Sequence, residues 1–503
     1  MSALELFASL SGCHWINGEL QAGTSPSNYD VLDPATEQRI GELCDATREE
    51  VNQAIGIANQ AQKRWNRTNA LHRAEAMHEI AAEIRRQRPL FAEMLTREIG
   101  KTYKESFDEA SWSATAVDYY AELGRHEIGR VAGPVVDGQF NFSLKEPLGV
   151  VVLILPFNYP LCLLCWQAAA ALVAGNAVII KPSELTSLTT LQFVQAFAGL
   201  GQGLVQVLTG GAEVGQQLVR HADTHMVAFT GGIETGRSIA RECAGMYKRT
   251  LIETSGNDPF IVMPSAPIDI AARGAAFGAY LNCGQVCASS ERFYVHEAVY
   301  DAFVERLIHH ARCIRVGNGL DKVDMGPLAS QGQRERYERI LHRAIEQGAR
   351  VGTGGGRPRG LDKGWFADAT VLTDIAATMD IMHDESFGPV APICKVASLD
   401  EALALSNDSR YGLGSTIYTT NLEESMRATH ELEAGMVWVN APLLDNDAGP
   451  FGGRKQSGMG RQLGAEGLDN FRHSKFVMMD PAASAQDFWW FPFRDEDAFP
   501  GQR

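Results

Sequence analysis

The sequence predicts an α/β protein: a helical N-terminal stretch, a parallel doubly wound sheet, and then a second α/β region. Three observations predict it. From Asp45 to about Arg125, charged and Ala-rich faces recur at helical spacing, as in Ala74 to Arg86. Beyond that stretch, short β-branched runs are separated by helix-length segments, the pattern of parallel strands joined by crossover helices. At 503 residues the chain is also too long for a single hydrophobic core, so two or three domains are expected.

The expected strands are Val150–Leu155, Ala177–Lys181, Val205–Leu208, His225–Phe229 and Pro259–Met263. Parallel sheets of this kind bind ligands in the loops that leave the carboxyl ends of their strands. One strand ends at Lys181-Pro182-Ser183-Glu184, another at Thr230-Gly231-Gly232-Ile233-Glu234-Thr235-Gly236. The second turn leads into a helix N-terminus, where free N–H groups and the dipole favour an anion. No GxGxxG follows a strand, so Thr-Gly-Gly alone is a weak sign of phosphate binding. Gly352–Gly356 reads as a surface loop. After Arg292 a helix is expected over Val299–Arg315, with strands at Ile393–Val396 and Met436–Val439.

The apolar stretch from Val150 to Gly175 is cut by Pro156, Asn158, Tyr159 and Pro160 into a short strand and an Ala/Leu-rich helix. Neither piece is long enough to cross a bilayer. The composition, 45% hydrophobic and 21% charged, is that of a globular chain, and the net charge of −16 argues against an extended nucleic-acid or anionic-membrane surface. Nine cysteines thinly spread over a long chain, with no basic and apolar leader at the N-terminus, point to reduced thiols and a cytoplasmic setting. The aromatic tail Trp489-Trp490-Phe491-Pro492-Phe493 is expected to dock on the body or on another subunit.

Three segments carry the chemistry. Cys287 sits in Asn282-Cys283-Gly284-Gln285-Val286-Cys287; alone, such a cysteine is as well explained as a small packing residue. Glu253 lies in the apolar run Leu251-Ile252-Glu253, where burial would raise its pKa and suit it to general-base work; a solvated or ion-paired glutamate is the ordinary alternative. Asn158, in Pro156-Phe157-Asn158-Tyr159-Pro160, can donate to a developing oxyanion or satisfy turn backbone.

Together with Lys181–Glu184, Glu385-Ser386-Phe387-Gly388-Pro389 and Pro450-Phe451-Gly452-Gly453, these segments resemble the aldehyde dehydrogenase superfamily, collinearly from Ile16-Asn17-Gly18 to Lys475. The resemblance implies a Rossmann-type dinucleotide-binding domain (1–123 and 142–254), an α/β catalytic domain (255–465), a small β oligomerisation flap (124–141 and 466–480) and a C-terminal tail (481–503), assembled as a homodimer or homotetramer. It implies Cys287 as nucleophile, Asn158 as oxyanion donor and Glu253 as the base that activates water. A Glu at that place separates hydrolytic members from those that acylate coenzyme A. Lys181 and Glu184 would hold the adenosine ribose, favouring NAD with NADP as the alternative. Pro156, Phe157, Thr230, Gly231, Gly232 and Gly236 would surround the phosphates and ring, and Glu385 and Phe387 the nicotinamide ribose and ring.

Some positions depart from the family pattern. Glu-Leu-Gly-Gly is Glu253-Thr254-Ser255-Gly256, the usual Trp before Asn158 is Phe157, and a usual Ser is Gly232. Each change weakens a cofactor contact and leaves Cys287, Glu253 and Asn158 in place. Cys283 reads as a packing residue, with a resolving thiol as the rival, and Cys162 and Cys165 read as core rather than as metal ligands.

For the substrate, a small-molecule aldehyde, Tyr159 and Trp166 resemble two walls of the aromatic box of betaine- and aminoaldehyde-oxidising members, with Phe451 as a third. Leu281 stands where such enzymes often carry another aromatic. Asp445 and Asp447 would add negative potential, and Glu109 and Trp112 lie on a helix that lines the tunnel in relatives. A cationic aldehyde is therefore expected; an apolar or aromatic aldehyde, or a non-catalytic member of the fold, is the alternative.

Overall fold

The computed structural model describes residues 2–126, 129–487 and 489–492. A short helix and four short strands open the chain up to Cys44, and long helices follow, among them α1 (Tyr103–Leu123), which faces the later helices with its buried Ala and Ser stripe. The first sheet is then laid down strand by strand: β1 (Val150–Ile154), α2 (Pro160–Val173), β2 (Ala177–Lys181), β3 (Val205–Val207), β4 (Met226–Thr230), α3 (Ile233–Ala244) and β5 (Arg249–Glu253). These five strands are parallel in the order β5-β4-β1-β2-β3. All but the tip of β1 and the start of β5 are buried, as continuous β-branched runs require when helices cover both faces.

Two findings were not legible in the strand pattern. The antiparallel pair Cys13–Ile16 and Glu19–Ala22 extends this sheet beyond β3, and Gly458–Met459, far along the chain, closes its other edge on β5. The run at 259–263 leaves the first sheet altogether. As β6 (Asp258–Val262) it pairs with β7 (Ser290–His296) at the centre of a seven-stranded second sheet. A parallel strand has the same apolar texture in either sheet; the Thr254–Asn257 link carries the chain from one to the other.

A third, antiparallel sheet joins Val131–Ala132, Phe140–Pro147 and Arg472–Met479. Its middle strand runs past 141 to Pro147 before the chain enters β1. Val131, Phe140, Phe476 and Met478 are exposed on it. Of Met436–Val439 only Trp438–Val439 is strand. Trp489, Trp490 and Phe491 are exposed on the single chain; Phe493 lies outside the described residues.

Candidate active site

Cys287 is delivered by a left-handed turn. Asn282, Cys283 and Gly284 have φ of 51°, 57° and 73°, a conformation that costs a non-glycine residue about 1–3 kcal/mol and persists only when its surroundings over-determine it. Here they do. The Asn282 N–H donates to Glu105 Oε1 at 2.7 Å, and its side-chain amide donates to the carbonyls of Asn158 at 3.3 Å and Gln285 at 3.1 Å. The turn is pressed against Gly256, where a Cβ would stand 2.1 Å from the Cys287 carbonyl oxygen. Gly256 therefore belongs to the seat of Cys287. Cys283 faces away, buried in the core of the second sheet, while Cys287 packs on the core of the first; the resolving-thiol reading loses its geometry.

Glu253 ends β5, buried, and faces Cys287 from the side of the first sheet. Burial pushes its carboxyl up to about 7, partly offset by hydrogen bonds from the Cys287 thiol and Gln462. The thiol itself is pushed well up by burial and by the Glu253 charge. The thiol and the carboxyl that face each other here therefore both resist ionisation. Gln462 Nε2 donates to Glu253 Oε2, while Glu253 Oε1 has no partner of ordinary hydrogen-bond geometry.

On its other side Cys287 opens onto a cavity of about 310 Å³. Tyr159, Trp166, Leu281, Phe451, Trp112 and Asp445, all six expected pocket residues, line it, as does Asp447. Trp166 and Phe451 pack with ring centroids 5.0 Å apart. Asp445 is pushed up to about 7 by removal from water and by Asp447, and neither carboxylate has a hydrogen-bond donor among the described residues. Asn158 is not part of this wall. It is buried beside Tyr159, and its side-chain amide makes no hydrogen bond among the described residues.

Glu109 does not face the cavity. It forms a fully buried pair with Lys101 at 2.5 Å, and its other oxygen accepts from the N–H groups of Leu161 at 2.8 Å and Cys162 at 3.2 Å. This carboxylate caps α2, whose first residue is a proline and whose N-cap Tyr159 offers no side-chain cap. Lys101 Nζ also lies 3.6 Å over the Tyr159 ring, so one face of that wall already carries a cation. Replacing Lys101 by methionine would leave the buried Glu109 carboxyl without its ion-pair partner; a loss of about 3–5 kcal/mol of stability is expected, read from the denaturant midpoint.

The expected cofactor residues fall at the carboxyl ends of the first sheet's strands and on the facing edge of the second. Lys181 Nζ pairs with Glu184 at 3.1 Å. Gly232 is the N-cap of α3, which has no side-chain cap, and a Cβ there would meet nothing within 4 Å; an anion has room at that helix end. Gly231 and Gly236 answer to packing instead. A Cβ on Gly231 would stand 2.7 Å from the Phe229 ring, and one on Gly236 2.8 Å from the Thr254 methyl. Thr230, the last residue of β4, accepts from Gln167 Nε2 at 3.1 Å. Pro156 begins the turn after β1, and Phe157 beside it meets Phe387 edge to face at 5.8 Å. Phe387 has φ 49°, held by its N–H and that of Ser386 donating to buried Glu291 at 2.8 and 2.7 Å. Burial pushes Glu385 up, against the pull of Arg336 at 3.7 Å.

The sequence reading missed Gln462, Gln167 and Lys101, and also Asp45. Asp45 accepts from Tyr29 and from the Gly211 N–H, each at 2.7 Å, and it feels the charge of Lys181. None of these stands in a local pattern that marks a site; only the fold brings them to one.

A sequence profile described as the aldehyde dehydrogenase family matches residues 21–477. The chain is 36% identical over 479 residues to a peroxisomal aminoaldehyde dehydrogenase of Pisum sativum, covering 92% of this chain and 94% of that protein. It is 34% identical over 488 residues to a chloroplastic betaine aldehyde dehydrogenase of Amaranthus hypochondriacus, covering 95% and 97%. Among solved structures, the betaine aldehyde dehydrogenase of Staphylococcus aureus in complex with NAD+ superposes with a TM-score of 0.93 at 32% identity, covering 97% of this chain and 98% of that one. An aldehyde dehydrogenase mutant from Bacillus cereus superposes with a TM-score of 0.92 at 34% identity, covering 95% and 98%.

Proposed function

The chain belongs to the aldehyde dehydrogenase family, and from that premise we propose that it oxidises a cationic aldehyde to its carboxylic acid, with NAD as hydride acceptor and Cys287, Glu253 and Asn158 as the catalytic residues. The observation that carries the substrate reading is the pair Asp445 and Asp447, two carboxylates without donors on the wall of the cavity that ends at Cys287. Such groups face a neutral aldehyde at a cost and a cationic one at a gain. The pea and amaranth relatives are named for aminoaldehydes and betaine aldehyde, which agrees.

Cys287 attacks the carbonyl carbon, its thiol proton passing to water in the cavity as the carbon–sulfur bond forms and the carbonyl oxygen becomes the oxyanion. The Asn158 amide and the Cys287 N–H, which donates to nothing among the described residues, stabilise the oxyanion. Bound NAD supplies the hydride acceptor, and the residues that would hold it are Lys181, Glu184, the α3 N-terminus at Gly232, Glu385 and the Phe157–Phe387 pair. The Glu184 carboxylate accepts from a free 2′-hydroxyl and repels a 2′-phosphate, which favours NAD over NADP. Cys287 then carries the acyl group as a thioester, and Glu253 takes a proton from the water that releases the acid.

Within the cationic class the geometry favours a primary ammonium over a quaternary one. Lys101 already occupies one face of Tyr159, and Leu281 supplies no ring, so recognition falls to carboxylates that reward N–H donors. The test compares kcat/KM for 3-aminopropanal, betaine aldehyde, hexanal and benzaldehyde in the wild type and in Asp445→Asn. A preference for the amine that drops about tenfold in the variant is expected, the size of one charge-assisted hydrogen bond, with hexanal unchanged. Preference for the neutral pair in the wild type would overturn the cationic reading in favour of an apolar or aromatic substrate, which the apolar part of the wall would suit.

A homodimer or homotetramer is proposed for the assembled enzyme, supported by the exposed apolar side chains of the three-stranded sheet. No helix among the described residues is long and apolar enough to cross a membrane, and all nine cysteines are free thiols. A cytoplasmic setting is consistent with that; the pea and amaranth relatives are named as peroxisomal and chloroplastic.

A further inference from the structure

We propose that Gln462, backed by Gln167, is a positioning residue for the hydrolytic half of the reaction: it aims the Glu253 carboxyl and keeps its ionised form populated. The inference rests on the reading of Glu253 as the base.

The observation is a buried chain of side-chain amides. Gln462 Nε2 donates to Glu253 Oε2, Gln167 Nε2 donates to Gln462 Oε1 at 3.3 Å, and the same Nε2 donates to Thr230 Oγ1 at 3.1 Å. The direction is dictated by chemistry. A carboxylate only accepts, so Gln462 must turn its NH₂ toward Glu253 and its oxygen toward Gln167, which must then donate. Both glutamines are buried, at 2% and 0% exposure, so no water competes for these groups.

Two consequences follow from the end of the chain at Glu253. A donor aimed at the charged form favours that form, so Gln462 opposes the burial that pushes this carboxyl up to about 7. With Oε2 held by Gln462, Oε1 is left with no hydrogen bond of ordinary geometry among the described residues, and it is the atom that takes the proton from water. An amide neither accepts nor releases a proton near neutral pH, so the chain orients the base without relaying its proton. Both ends are anchored in the site. Thr230 ends β4 at the turn into α3, and the Gln462 backbone exchanges two 2.7 Å hydrogen bonds with Phe451 of the cavity wall. One rigid strut thus ties the base to the walls on both of its sides.

The test uses full-length Gln462→Leu, Gln167→Met and Glu253→Gln beside the wild type, with 3-aminopropanal and hexanal as substrates. In Gln462→Leu the acid limb of kcat is expected to move up by about one pH unit, the effect of losing one hydrogen bond to a charged group. Hydrolysis should become the slow step, so that a rapid burst of one NADH per active site precedes a steady rate lowered about tenfold or more. The burst rate constant and kcat/KM for the aldehyde should stay within about threefold, because both report steps that precede release of the acid, while KM should fall together with kcat. Infrared difference titration of the enzyme without cofactor, read against Glu253→Gln, should show the same upward shift of one carboxyl. Gln167→Met, which leaves the Glu253–Gln462 bond intact, should shift both readouts in the same direction by less, and it keeps the test open if Gln462→Leu does not fold. An unmoved acid limb and carboxyl titration in both glutamine variants would overturn the proposal, as would a burst that slows in step with kcat. If Glu253→Gln hydrolyses its thioester like the wild type, the base assignment itself fails; slow hydrolysis there with normal glutamine variants overturns only the role given to Gln462.

Discussion

Replacement of Cys287 by alanine is expected to lower NADH formation on every aldehyde by on the order of 10⁴-fold or more, with dinucleotide affinity and fold retained. The size follows from what the residue does: without the sulfur there is no covalent adduct, no thioester and no stepwise route. The small structural cost follows from where it sits. Cys287 is only partly buried, at the inner end of the cavity, and alanine keeps the turn. The turn is held by Asn282, Glu105 and Gly256 rather than by the thiol. The measurement is initial rate beside NAD binding by calorimetry. Unaltered binding with turnover within tenfold of the wild type would remove Cys287 from the mechanism, whereas loss of both would mean that the turn had collapsed.

Glu253→Gln is expected to cut steady-state turnover by about 10²–10⁴-fold, the usual worth of a general base. The pH dependence gives the sign. With its carboxyl at about 7, Glu253 is protonated below that value and cannot take a proton from water. The wild-type rate should therefore fall about tenfold per pH unit below the limb and level off above it, and the variant should lose that limb. Stability should move the other way. A carboxyl raised in the folded state binds its proton more tightly there than in the unfolded chain, so ionising it at pH above its folded value costs stability. Glu253→Gln removes that cost, and its melting temperature at about pH 8 is expected to equal or exceed that of the wild type. A stable variant without activity would show burial used to tune a base at the expense of the fold; an unstable one would mean that Glu253 is held mainly for packing.

The fold was legible where one strand or helix declares itself through its own side chains. Ala177–Lys181 is the strand expected, and the Thr230–Gly236 turn does open a helix. The allegiance of Asp258–Val262 to the second sheet was not legible, nor was the pairing of Gly458 with Glu253 across two hundred residues. Nothing in an apolar run names its partner. In the site, Tyr159 and Trp166 were readable as a pocket, whereas Glu109, expected only to share the tunnel-lining helix with Trp112, is the cap of α2 and the partner of Lys101.

By itself the sequence determined the chemistry of the groups proposed to react: a thiol at Cys287, a carboxyl at Glu253 in an apolar run, an amide at Asn158, and the order in which they occur. Tertiary structure alone decided their state. The raised carboxyl of Glu253, the upward push on the Cys287 thiol, the amide chain through Gln462 and Gln167 and the cation already lying on Tyr159 all arise from groups brought together across the chain. Charge and hydrogen-bond strength depend on the local dielectric and on neighbours within a few ångströms. Those are properties of packing, and residue order carries them only through the fold.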